Sequence, residues 1–153
     1  MMTPDEPHWK LFHLISGIYI KSRRLAEESL KPLNVTWPQF GALAQLARED
    51  RITQRELADR METDATTIMV LCDSLERKGW IERVKDLSDR RVNRLVLTDE
   101  GRAVFAKAYP IMLSGYQLFT ESISPEKSER VMPILGELYS RINEYYHEAI
   151  KES

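Results

Sequence analysis

The sequence predicts a mainly α fold, α+β in class, with about six helices and a two- to three-stranded sheet. Three observations predict it. Apolar residues recur at spacings of three and four along most of the 153 residues, the period of helices with one buried face. Capping residues, prolines and a glycine cut that pattern into segments of helical length. One stretch, from Trp80 to Leu97, reads instead as two short strands around a charged tip.

The first segment runs from about His8 to Lys31. Phe12, Ile15, Tyr19 and Ala26 form one stripe and Leu11, Leu14, Ile18 and Leu25 an adjacent one, so its apolar face is unusually wide. Lys31-Pro32 ends it, because the residue before proline is driven out of the helical region. A second helix opens on Thr36 with Gln39 three residues later, a capping box, and Pro38 in the first turn. Phe40, Leu43, Ala44, Leu46 and Ala47 make its buried side. A short third helix, about Gln54 to Met61, opens on a second capping box, Thr53-Gln54-Arg55-Glu56. The fourth runs from near Asp64 to Lys78, with Ile68, Leu71, Cys72 and Leu75 facing inward and Gly79 suited to a left-handed terminus.

Trp80–Val84 and Arg94–Leu97 read as strands, joined by the charged link from Lys85 to Asn93. Thr98-Asp99-Glu100-Gly101 then caps a fifth helix carrying Val104, Phe105, Ala108, Met112 and Tyr116, with a bend expected at Pro110. Ser124-Pro125 starts a sixth, bent near Pro133. In it Val131, Leu135, Leu138, Ile142, Tyr145 and Ala149 form a coiled-coil-like seam.

Composition bounds the possibilities. Hydrophobic residues at 42% and charged residues at 30% suit one soluble domain with a real core. No apolar run approaches the roughly 18 residues that read as a membrane span. The stretch Met1 to His8 is acidic and polar, unlike a secretory signal, and the single cysteine fits a reducing compartment, so a cytoplasmic location is expected. The net charge is −2, yet Arg77 to Arg94 holds seven basic residues against three acidic ones. A basic segment on an acidic body directs an anionic polymer to one face.

Two short helices joined by a few residues, the second followed by a hairpin, make a winged helix-turn-helix. The second helix of such a pair enters a major groove about 12 Å wide, its N-terminal residues reaching base edges. Here Thr63, Asp64, Thr66 and Thr67 occupy that end; one of the first two caps the helix, leaving Thr66 and Thr67 free. At the hairpin tip, Asp89 can brace the turn and orient Arg90 and Arg91 toward a narrow minor groove.

Several stretches in order resemble one family. They are Val35-Thr36-Trp37-Pro38-Gln39-Phe40, Thr53 to Ala58, Leu75-Glu76-Arg77-Lys78-Gly79-Trp80-Ile81-Glu82-Arg83, Asp89-Arg90-Arg91 and Leu97-Thr98-Asp99-Glu100-Gly101. The chain is similar over nearly its whole length to the multiple antibiotic resistance regulator (MarR) family of bacterial transcription factors. The resemblance implies one domain over 1–153, with dimerisation helices at 8–31 and 102–150 and a DNA-binding region at 36–98. It implies a homodimer on double-stranded DNA at a pseudo-palindromic operator, commonly a repressor released by a small, often aromatic effector, with no cofactor. DNA contacts are expected from Gln54, Arg55, Thr63, Thr66, Thr67, Arg77, Lys78, Arg90 and Arg91. Asp89 and Asp73 brace the wing, Asp73 by pairing with Arg91. The sequence departs from the family where many members carry a Thr-Arg pair and a further arginine, here Met69-Val70 and Ser74. That departure motivates the competing reading of a protein-interaction module that no longer reads DNA.

Trp9, Phe12, Trp37 and Phe40 lie on the two helices that bound the family's effector pocket; each also suits plain core. Cys72 sits on an apolar stripe and reads as core packing. His8, His13 and His147 lack ligand spacing, so no metal site is expected, and no catalytic constellation suggests an enzyme.

Overall fold

The computed structural model describes residues 7–151, apart from the side chains of 118–120, 147, 150 and 151. The first six residues and the His147 side chain lie outside that description. The chain forms two compact units, one through Gly115 and the other from Tyr116 onward.

Helix α1 (Pro7–Leu30) gives way at Lys31–Leu33 to a single 3-10 turn, closed by Asn34 in the left-handed region. The stop expected at Lys31-Pro32 takes the form of this turn. Helix α2 (Trp37–Arg48) begins with the expected capping box: Thr36 Oγ1 accepts from Gln39 N at 3.4 Å and Gln39 Oε1 from Thr36 N at 3.1 Å. Helix α3 (Gln54–Arg60) repeats it, with Glu56 Oε2 accepting from Thr53 N at 2.6 Å and Thr53 Oγ1 from Glu56 N at 3.1 Å. Each box satisfies two backbone N–H groups that a helix start leaves without partners. Helix α4 (Ala65–Arg77) is capped by Asp64, whose Oδ1 accepts from Thr67 N at 2.8 Å.

Gly79 has φ +70° and turns the chain into strand β1 (Ile81–Lys85). It pairs antiparallel with β2 (Asn93–Leu97), Ile81 opposite Leu97 and Lys85 opposite Asn93. The third strand allowed by the sequence is reduced to one bridge: Ile52 stands opposite Leu95, whose N–H donates to Ile52 O at 2.8 Å, while Arg51 N donates to Leu95 O at 3.0 Å. Helix α5 (Asp99–Ser122) and helix α6 (Pro125–Lys151) continue through Pro110 and Pro133. At the start of α5, Thr98 Oγ1 donates to Gly79 O at 2.6 Å and accepts from Gly101 N at 3.0 Å. A β-carbon on Gly101 would overlap the Trp80 carbonyl, so only glycine lets the helix start this close to the strand.

The core lies in the first unit. Leu30, Leu43, Leu46, Ile52, Leu57, Ile68, Leu75, Ile81 and Leu95 are all but inaccessible, and Ala108 and Met112 of α5 pack with them. Burial of each such side chain contributes about 1.5–3 kcal/mol, so this cluster fixes α3, α4 and the hairpin as one body.

Candidate nucleic-acid interface

Helices α3 and α4 are joined by a tight turn in which Glu62 takes φ 50° and Thr63 N donates to Ala58 O at 3.1 Å. The inner face of α4 is Ile68, Cys72 and Leu75, all buried. Its outer face follows from the helical period: Thr66, Val70, Asp73 and Arg77 succeed one another along one exposed stripe, with Met69 at its edge. This face turns away from the core.

The threonines at the front of α4 part company. Thr67 Oγ1 donates to Asp64 Oδ2 at 2.7 Å, so it belongs to the cap and is not free as expected. Those bonds hold the Asp64 carboxyl below its usual range. Thr66 is exposed and Thr63 half-buried. Ser74 turns inward and accepts from Gln39 Nε2 at 3.0 Å.

Arg83 of β1 reaches across to α4. Its guanidinium donates to Asp73 Oδ1 at 2.6 Å, to Glu76 Oε2, and from Nε to Gln54 Oε1 at 3.1 Å. Asp73 therefore pairs with Arg83 and not with Arg91, because Arg83 sits at the hairpin base beside α4 whereas Arg91 stands at the tip. One guanidinium is thus shared by two carboxylates on the outer side of α4, and it also occupies Gln54. Lys78, another expected DNA contact, is also committed inward: its Nζ donates to Asn34 O at 2.6 Å and Gln39 Oε1 at 3.0 Å, and lies 4.3 Å from the centre of the Trp80 ring. Burial holds that ammonium below its usual pKa. Arg55, Arg77 and Arg90 are exposed and, among the described residues, carry no ion pair.

The wing tip is ordered by an aspartate that is not among the braces expected from the sequence, Asp86. Asp86 Oδ1 accepts from Ser88 N at 2.8 Å, Ser88 Oγ at 2.5 Å and Asp89 N at 3.1 Å, while Oδ2 accepts from Arg94 Nε at 2.7 Å. The Ser88 bonds first, then Arg94, keep the Asp86 carboxyl far below the ordinary carboxylate range. Its signal is the Asp-x-Ser spacing, which closes a side-chain turn on the backbone two residues on. Asp89 Oδ1 accepts from Arg91 N at 3.0 Å and Nε at 3.2 Å. The Arg91 side chain is 92% exposed, its guanidinium presented outward from a fixed turn.

The four aromatic candidates for an effector site fall into two pairs. Trp9 and Phe12 lie 6.5 Å apart, both exposed on α1. Trp37 and Phe40 lie 6.4 Å apart and continue into Phe105 at 5.8 Å and Tyr109 at a further 5.6 Å. Among the described residues no ring contact joins the two pairs. Phe40 is buried in the core, whereas Tyr109 is exposed; the Phe105/Tyr109 spacing of four is the overlooked sign that α5 extends this row.

Helix pair, exposed outer face and braced basic hairpin together define a winged-helix DNA-binding scaffold. The MarR family model matches residues 35–92. The multiple antibiotic resistance protein MarR of Escherichia coli (strain K12) is 30% identical over 106 residues, 69% of this chain and 72% of that protein. The transcriptional repressor YetL of Bacillus subtilis (strain 168) is 28% identical over 134 residues, 88% of this chain and 75% of that one. Among solved structures, a cysteine-to-serine variant of Escherichia coli MarR in complex with operator DNA superimposes with TM-score 0.77 at 27% identity, covering 84% of this chain and 93% of that one. The chain belongs to the MarR family of winged-helix transcription regulators. Among the described residues no helix is long and apolar enough to cross a membrane.

Proposed function

We propose that the protein acts in the cytoplasm as a homodimeric repressor, without catalysis of its own, that binds a pseudo-palindromic operator and releases it on binding a small aromatic effector. One observation carries the DNA reading: Arg55, Arg77, Arg90 and Arg91 are exposed on α3, α4 and the wing tip, while Asp73 and Glu76 share Arg83, Asp86 pairs with Arg94 and Asp89 with Arg91. Those four arginines with Arg83 and Arg94 outnumber the four carboxylates by six to four, a net positive surface that complements a phosphate-lined groove.

In this reading Thr66 and the outer stripe of α4 face base edges in the major groove. Arg55 and Arg77 contact phosphates, and Arg90 and Arg91 enter the adjacent minor groove. Gln54, Thr63, Thr67 and Lys78 serve by shaping the helix ends. Residues 36–98 form the reading head and 8–31 with 102–150 the dimerisation helices. The Trp37–Phe40–Phe105–Tyr109 row supports an effector with an aromatic ring, since stacked rings offer offset faces.

The test is selection of duplexes from a random DNA library by the purified protein, then affinity measured against salt. Expected is a pseudo-palindrome with half-sites about one helical turn apart and a steep loss of affinity with salt. Arg91→Ala should flatten the logarithmic salt slope by about 0.9 for each phosphate it no longer neutralises. An unchanged affinity and slope in that variant would remove the wing from the interface. Failure to enrich any sequence would favour the protein-interaction reading.

A further inference from the structure

The outer face of α4 carries two apolar side chains where a DNA-reading helix is ordinarily polar. Val70 is 59% and Met69 48% exposed. Neither faces the core, which α4 covers with Ile68, Cys72 and Leu75. Val70 lies one turn beyond Thr66 on the same stripe, and with Asp73, Glu76 and Arg77 it lines a shallow depression on the surface. The two carboxylates of that depression share the Arg83 guanidinium and Arg77 lines it beside them, so two cations offset two anions on the side a polyanion would approach.

We infer that Val70, with Met69 beside it, is a specificity-determining residue that reads thymine C5-methyl groups in the major groove. The inference rests on the DNA-binding reading above and names what the helix reads. Of the four base pairs, only those with thymine present an apolar group to the major groove; guanine, cytosine and adenine present acceptors and amino donors. A valine at the groove floor leaves those polar groups unpaired and gains only from a methyl. Its single preferred χ1 rotamer means that little side-chain freedom is lost on contact. Methionine adds a longer, adaptable contact. The rim of Arg55, Arg77, Arg90 and Arg91 favours a nucleic-acid occupant over an apolar protein surface, which would have to desolvate those guanidinium groups.

The experiment uses the full-length protein and the duplex selected from the random library. Each thymine is replaced in turn by deoxyuridine, which removes the methyl and preserves pairing. At one or more thymines in each half-site, wild-type affinity should fall about fourfold (about 0.8 kcal/mol), the worth of burying one methyl-sized group. Val70→Ala should weaken binding to the unmodified duplex by a similar factor and lose its response to uridine at that position. Because Val70 is exposed, this variant should melt as the wild type does, and the uridine series on the wild type needs no variant at all. If wild-type affinity is indifferent to every thymine methyl, or if Val70→Ala and Met69→Ala both keep the full uridine response, the inference fails while DNA binding stands. If no duplex is selected, the DNA reading fails and the inference with it.

Discussion

Cys72 lies fully buried on the inner face of α4. Burial pushes its thiol up to about 11, the Arg83 guanidinium opposing this only in part. The thiolate is the reactive form, so at about pH 8 only around one molecule in a thousand is competent. Iodoacetamide should leave the native protein unmodified over hours and alkylate it rapidly once denatured; fast native labelling would show that α4 opens. The apolar stripe carrying Cys72 is readable from spacing alone. Side-chain commitments are not: Thr67, Gln54 and Lys78 look available in sequence, yet Asp64, Arg83 and Asn34 with Gln39 respectively hold them. Asp64 is only three residues from Thr67, a local cap, but the partners of Gln54 and Lys78 lie 29 and up to 44 positions away, where no local pattern speaks. The Asp73–Arg83 pair is of the same kind, set by how the hairpin packs on the helix.

At the scale of elements, capping decides much of the outcome. The boxes at Thr36 and Thr53 and the left-handed glycine at Gly79 are legible because each is a rule about residues within one turn. The wing is legible as a hairpin but not as a rigid one, since its order comes from Asp86 gathering Ser88, Asp89 and Arg94. Four carboxyls, those of Asp86, Asp89, Asp64 and Glu56, are held below their ordinary range in the folded chain. A depressed folded-state pKa contributes stability that is present above the unfolded value, near about 4, and lost as pH falls through the folded one. The melting temperature should therefore hold level between about pH 7 and pH 5 and drop below about pH 4. Asp86→Asn should lower it at neutral pH and make the acid drop shallower. An identical acid profile for that variant would mean the wing turn contributes nothing to folding.

For the molecule as a whole, the single chain leaves large apolar side chains in the open. On α1, Leu11, Phe12, Leu14, Ile18 and Leu25 are exposed; on α6, Ile134, Leu135, Ile142 and Tyr145 are. Large apolar side chains exposed along each of these helices mark interface faces, and a second copy of the chain is the partner proposed above. Sizing with light scattering at micromolar concentration should give twice the chain mass, and Phe12→Asp with Ile142→Asp should shift it to the monomer. A wild-type monomer would remove the dimer from the reading. The wide α1 stripe and the α6 seam are visible as periodicity. What covers them is not, because periodicity marks a face without naming its neighbour.

The two backbone bonds between Leu95 and the residues just before α3 have a mechanical meaning. They rivet the root of the hairpin to the start of the helix pair, so wing and α3 are joined through the backbone as well as through the core. In the DNA reading proposed above, that tie acts as the frame of a caliper, setting the gauge between wing and helix pair from the hairpin's root.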